Sequence, residues 1–287
     1  MNTFGKIVRA LRKNSLDEQG KPWNRAALAR AVHLSEDQLG RLERGERKNL
    51  DRQTLNLLAN SFNLTSQERK EFFYAALGLQ DKEIFNQEEP ESHLKNLLVQ
   101  VEQQYFPALV LDVYLDVVAT NKALLDLYQI KNDLMETDRG KTVPFNQLYT
   151  LYSSKSDLKR LMGSAWKNAS LASILEFRRS SLRYRHTEYF SNLLSKLFKL
   201  NTFKKDWYTS HQYNDYNDNV YKRLSYKHCC FGLLDYKISE TKINTTAGEL
   251  NLILHNPNNP GTYSIFEELA KYGGNKVLKF APWPKKQ

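Results

Sequence analysis

Residues Asn24 to Gly45, NRAALARAVHLSEDQLGRLERG, constrain this chain more than any other stretch. They read as two short helices with a tight joint at Val32-His33-Leu34. Ala26, Ala27, Leu28 and Ala31 make a first helix small enough to pack closely, and Asn24 is suited to cap its first turn. Ser35 caps the second helix, with Gln38 three residues on at the capping-box spacing. Leu39 and Leu42 then point inward, while Glu36, Asp37, Gln38, Gly40 and Arg41 lie outward. Gly45 ends the helix as a C′ glycine does.

Three further helices are expected around or beside this pair within residues 1–80. Phe4, Ile7, Val8 and Leu11 repeat at helical spacing over Thr3 to Lys13. Asp17 to Trp23 is a loop. Asp51 to Phe62 carries Leu55, Leu58, Ala59 and Phe62 inward. Thr65 with Glu68 forms a second capping box ahead of Phe72, Phe73, Ala76 and Leu77. A capped helix that turns polar side chains outward is the reading helix of a helix-turn-helix. An ordinary helical hairpin is the plainer alternative, and the order of helices argues against it. The segment resembles the helix-turn-helix regulators of the Xre/Cro repressor class. The carrying residues are Leu28-Ala29, Leu34-Ser35, Asp37, Arg41-Leu42-Glu43 and Gly45. His33 stands where that class often has glycine.

The expected DNA contacts follow from groove chemistry. Ser35, Glu36, Asp37, Gln38 and Arg41 sit where the helix enters the major groove. Gln suits adenine, Arg suits guanine, and a carboxylate accepts from cytosine N4. Arg25, Arg47 and Lys48 are read as phosphate contacts, which position without specifying. The resemblance implies that Glu43 pairs with Arg12 of the first helix and touches no base. Residues 1–80 hold 14 Lys/Arg against 9 Asp/Glu, about +5 of the whole chain's +10. Excess positive charge favours a polyanionic partner without locating its face.

Asp81 to Glu91 is acidic and broken by Pro90, which reads as a boundary. A connecting helix over His93 to Gln104 completes a linker region of 81–105. From residue 106 the pattern changes to a hairpin, Phe106–Asp112 and Asp116–Ala119, running into a helix capped by Thr120-Asn121. A mainly helical middle follows, with expected helices at Val143–Tyr152, Ser156–Asn168, Ser170–Tyr184, Thr187–Leu200 and Asn201–Ser210. Strands return at Tyr221–His228, Gly232–Ile243 and Glu249–His255. Asn256–Gly261 is a loop and Tyr263–Tyr272 a last helix. Residues 106–287 look like the PAS-like ligand-binding domain of MmyB-type transcription regulators. The carrying pieces are Pro107–Asp112, Leu115–Asn121, Phe177-Arg178, Leu193-Leu194 before Phe203 and Trp207, and the His228 to Gly232 turn. The expected fold class is therefore a mainly α, five-helix N-terminal domain plus an α+β, PAS-like C-terminal domain.

That resemblance implies a pocket for a fatty acid or similar amphipathic ligand, with no other cofactor. The 14 Phe and 16 Tyr suit a pocket or simply a core. Arg178, Arg179 and Arg183 are candidates for an anionic head group, Arg178 first, because Arg forks suit carboxylates. Asn121 and Phe177 lie in the matching pieces, and His228 is either a pocket member or a core histidine. Cys229 and Cys230 are adjacent, so a disulfide framework is excluded and a metal is not expected. No apolar run nears the ~18 residues of a membrane span, and no signal-peptide apolar region is evident. The motifs of hydrolases, P-loop proteins and dinucleotide enzymes are missing, so no enzyme is expected. The sequence thus predicts a cytoplasmic, nucleoid-associated bacterial transcription regulator. It would bind double-stranded operator DNA as a homodimer and sense a small amphipathic molecule. The alternative is a helix-turn-helix scaffold that binds protein.

Overall fold

The computed structural model describes residues 3–46, 50–78, 89–130, 145–213, 223–273 and 276–284. The chain is mixed α+β, with helices at its N-terminus. Thirteen α-helices and a six-stranded antiparallel sheet lie among the described residues. It divides into two compact units: Met1–Ile84 with Arg178–Asp215, and Phe85–Phe177 with Tyr216–Gln287. The sequence reading placed residues 106–287 together. Instead, 178–215 groups with the N-terminal helices, where its arginines meet the buried Glu68 and the half-buried Glu71.

Unit 1 opens with α1 (Thr3–Asn14), α2 (Arg25–Ala31), α3 (Glu36–Arg44), α4 (Arg52–Ser61) and α5 (Ser66–Ala76). The predicted stripes are buried: Phe4, Ile7, Val8 and Leu11 meet Leu28, Leu39, Leu42, Leu58, Phe62 and Phe72 in one core. Each such side chain contributes roughly 1.5–3 kcal/mol when enclosed. Leu182, from the later segment, belongs to the same core. The loop before α2 is folded back, with Asp17 Oδ1 accepting from the N–H groups of Gln19 and Lys21, and Trp23 Nε1 donating to the Ser61 carbonyl at 3.0 Å.

Unit 2 opens with α6 (Pro90–Gln103), β1 (Ala108–Asp112), β2 (Val117–Asn121) and α7 (Lys122–Leu127). Then come α8 (Gln147–Tyr152), α9 (Leu158–Met162) and α10 (Ala165–Ser181), the last of which carries the chain into unit 1. In unit 1 follow α11 (Glu188–Leu197) and α12 (Asn201–Thr209), and the chain returns to unit 2 as β3 (Arg223–His228), β4 (Gly232–Thr245), β5 (Gly248–Pro257), α13 (Pro260–Gly273) and β6 (Val277–Lys279). The sheet order is β3-β4-β5-β1-β2-β6. One face packs α6 through Leu97 and Val101 onto Ala108, Val110, Val118, Leu250 and Leu252. A second cluster joins Leu161, Trp166 and Phe266 to Leu224, Tyr226, Leu234 and Tyr236 of β3 and β4.

Several helical boundaries differ from the sequence reading: the connecting helix starts at Pro90 and not His93, the helix after Thr187 ends at Leu197 and not Leu200, and two further differences show their cause. A break was expected near Ser170. It falls at Gly163, whose φ of 51° suits glycine, and α10 then runs unbroken through Ser170. Ser170 Oγ donates back to the Lys167 carbonyl instead of capping, a bond a mid-helix serine can make. The last helix starts at Pro260 and not Tyr263, because Asn259 Oδ1 accepts from Thr262 N and Pro260 fits the first helical position.

Candidate nucleic-acid interface

The first turn of α3 is built as its residues dictate. Ser35 Oγ accepts from Gln38 N at 3.1 Å, and Gln38 Oε1 accepts from Ser35 N at 2.8 Å, completing the capping box. Leu39, Leu42 and Glu43 are buried, while Ser35, Glu36, Asp37, Gln38, Arg41 and Arg44 are exposed. The helix therefore shows one apolar and one polar face, and Gly45 closes it in the left-handed region at φ 79°. Glu36 and Asp37 sit where the helix dipole favours negative charge.

Three contacts fix α3 in place. Arg12 holds Glu43 in a fork, Nε to Oε1 at 2.6 Å and Nη2 to Oε2 at 3.1 Å. Arg25, expected on phosphate, also donates to Glu43 Oε2 from Nε and Nη2, both at 3.2 Å, with its side chain 40% exposed. Gly5 is the third: a Cβ there would lie 2.2 Å from the Leu42 carbonyl oxygen, so α1 crosses α3 at a distance only glycine permits. Nothing in a single sequence marks Gly5 out.

On the outward face Arg44 forks onto Glu46 at 2.6 and 3.0 Å, and Arg41 Nε lies 3.8 Å from the same carboxylate. Arg44's hydrogen bond holds the Glu46 carboxyl below its ordinary range. Glu36, Asp37 and Glu46 thus stand against Arg41 and Arg44. Arg30 and Arg52 are exposed at the ends of α2 and α4. Arg47 and Lys48 lie outside the described residues.

Of the four residues predicted around a ligand, Arg178 belongs to unit 1 and Asn121, Phe177 and His228 to unit 2. Arg178 falls in unit 1, where Nε and Nη2 meet Glu68 Oε1 and Oε2 at 3.0 and 2.9 Å. Nη1 meets the Trp207 carbonyl and Ser210 Oγ, and Nη2 also meets the Asn63 carbonyl. All of its nitrogens already face acceptors, leaving none for a head group. Arg185 adds a second contact to Glu68 Oε1 at 2.5 Å, and Arg183 reaches Glu71 at 2.9 Å. The arginines read as carboxylate receptors do receive carboxylates: those of α5. Burial pushes the Glu68 carboxyl up, but Arg178 and Arg185 bring it down to about 2.

In unit 2 Phe177 is fully buried. Asn121 caps α7, its Oδ1 accepting from Ala108 N and Leu124 N and its Nδ2 donating to the Phe106 carbonyl. His228 Nε2 donates to the Leu127 carbonyl at 3.1 Å, and Nδ1 accepts from the N–H groups of Cys230 and Phe231. Burial lowers its basicity. These bonds serve the fold.

Sequence reasoning missed a polar set on one face of β5. Asn251, Ile253 and His255 share that face by strand alternation, opposite Leu250, Leu252 and Leu254. Asn251 is 3% exposed, and neither of its side-chain polar atoms has a hydrogen-bond partner. His255 Nε2 bonds Tyr128 Oη at 2.8 Å, while Nδ1 has no partner. Tyr128 Oη also meets Tyr236 Oη at 2.8 Å, which meets Tyr226 Oη at 3.3 Å. Burial holds His255 neutral, down to about 4. The two-residue period of NLILH was the signal, since it places Asn and His among apolar neighbours.

The chain matches no protein-family model and no curated protein.

Proposed function

We propose that this chain is a sequence-specific DNA-binding transcription regulator of the helix-turn-helix kind, whose second unit senses a small molecule. One observation carries the reading. The capped α3 holds its buried side by Leu39, Leu42 and the Arg12–Glu43 fork, and offers Glu36, Asp37, Gln38 and Arg41 to solvent. Such a helix can enter a major groove by its N-terminal turn. Gln38 gives its amide oxygen to the cap, so a two-point contact to adenine would open the capping box. Arg41, 57% exposed and only loosely paired, is the stronger base reader, and guanine is its target. Arg30 and Arg52 flank it as phosphate contacts. A homodimer presents two such helices to half-sites one DNA turn apart.

For the sensing role, Asn251 and His255 replace Arg178 as the polar contacts. A hydrogen-bonding, uncharged group on an otherwise apolar ligand matches them. A bound molecule would act by favouring one arrangement of the paired heads.

Arg41→Ala tests the DNA reading. The variant keeps its fold and loses about 1–3 kcal/mol of operator discrimination, roughly five- to 150-fold. Unchanged footprints at the same sites would overturn the assignment. The three carboxylates on the α3 margin favour a second reading, a scaffold that docks a basic protein. Electrophoretic shifts separate the two, since DNA affinity falls steeply between low and moderate salt. Native mass spectrometry of the purified chain reports subunit number and any co-purifying ligand.

A further inference from the structure

Neighbouring side chains on a strand point to opposite faces, which is why adjacent cysteines seldom serve one centre. Cys229 and Cys230 are not on a strand. They lie in the three-residue loop between β3 and β4, after the His228–Gly232 pair, with Gly232 at φ 76°. His228 is the clamp. Its Nδ1 accepts from Cys230 N and Phe231 N, and its Nε2 is anchored on the Leu127 carbonyl. The loop so held places Cys229 Sγ and Cys230 Sγ 3.5 Å apart, both side chains exposed. Two donors from other elements converge on the sulfurs: Gln129 Nε2 on Cys230 Sγ at 2.9 Å, and Arg160 Nη1 on Cys229 Sγ at 3.5 Å.

We propose that Cys229 and Cys230 form a chelating dithiol that takes one soft, thiophilic centre with two open valences. Geometry carries this. A centre at a thiolate bond length of about 2.3 Å from both sulfurs would subtend an angle of about 100°, close to tetrahedral. The alternative product, a disulfide between the two, fits poorly. Adjacent Cα atoms are about 3.8 Å apart across a trans peptide, below the ~4.4 Å at which ordinary disulfides begin. His228 supplies no third ligand, since both of its nitrogens are engaged. The site therefore suits a two-valent thiophile better than a four-coordinate zinc ion. Arg160 Nη1 and Gln129 Nε2 each aim an N–H at one sulfur and so hold the two sulfurs in place.

The probe is phenylarsine oxide. Two As–S bonds form, two S–H bonds and the arsenic–oxygen bond break, and the oxygen leaves as water with both protons. Arsenic stays trivalent, so no oxidant is needed. With the reduced full-length chain, intact-mass analysis should find one arsenical per chain, and both thiols should disappear from titration after one equivalent. The adduct should survive excess monothiol and be released by a small dithiol. Cys229→Ser and Cys230→Ser should each lose the monothiol-resistant adduct while keeping the circular dichroism of the parent. Arg160→Ala should weaken retention about tenfold, as loss of an outer-shell donor does. Two arsenicals per chain, one thiol left over at saturation, or resistant binding in either serine variant would overturn the proposal.

Discussion

Glu68 in unit 1 and His255 in unit 2 are both enclosed, and each avoids a bare buried charge by a different route. Glu68 keeps its charge because buried Arg178 forks onto it, buried Arg185 adds one Nη2 contact, and Thr65 N donates to it at 2.8 Å. His255 gives up its charge: burial holds it neutral, and two tyrosine hydroxyls extend its one side-chain hydrogen bond into a chain. The difference bears on what each unit does. A paired buried charge tolerates little movement, since either partner alone is costly. It fastens residues 178–213 to α5 and gives the head carrying α3 one arrangement. A neutral network with open positions at Asn251 and His255 Nδ1 is still able to accept a bond from something else.

Breaking the ion pairs should have the largest effect. Arg178→Ala leaves Glu68 buried with part of its compensation gone, and should cost about 3–5 kcal/mol in urea unfolding of the full chain. A cost under about 1 kcal/mol would mean that Glu68 reaches water, and the contrast between the units would fail.

Acid should separate the units by window. Glu68 titrates at about 2 against 4.5 for the ordinary group. Its depressed value stabilises the fold above pH ~4.5, and that contribution is lost as pH falls towards 2, on the order of 3 kcal/mol in all. His255 titrates at about 4 against 6.5. Protons prefer the unfolded chain here too, so its penalty grows as pH falls from 6.5 to 4, again on the order of 3 kcal/mol. Urea unfolding across pH should therefore show a first decline that His255→Gln removes and a second that it leaves. A single decline unchanged in that variant would contradict the buried neutral histidine.

How far these features were legible depends on the range of the interaction. The caps at Asn24, Ser35, Thr65 and Asn121 act over three residues, and all four were readable. The hairpin β1–β2 and the inward stripe of α1 are equally local. Glu43 meets Arg12 across 31 residues, and there a resemblance supplied the partner. Arg178 meets Glu68 across 110 residues, and no periodicity records such a pairing. So the sequence made Arg178 a candidate for an external anion, when the carboxylate it binds was already in the chain. The same reason hides Gly5, whose neighbour is the Leu42 carbonyl. The short edge strand β6 at Val277–Lys279 gave too little pattern to read.

The smallest effect tests a motif that both units share. His33, Asn63 and Gln129 each follow a helix at positive φ, 56°, 50° and 48°. In each the next residue, Leu34, Leu64 or Ile130, donates its N–H back five positions, to Ala29, Ala59 or Leu125. That is a Schellman closure, and glycine is its usual residue. A left-handed conformation costs a side chain about 1–2 kcal/mol, while glycine costs about 0.5–1 kcal/mol in unfolded-state entropy. His33 is exposed, so His33→Gly should stabilise by roughly 0.5 kcal/mol, about 1–2 °C in Tm for a chain of this size. Asn63→Gly should give less, because asparagine already tolerates this conformation. A gain at Asn63 equal to that at His33 would show that local backbone preference does not set the cost of these joints.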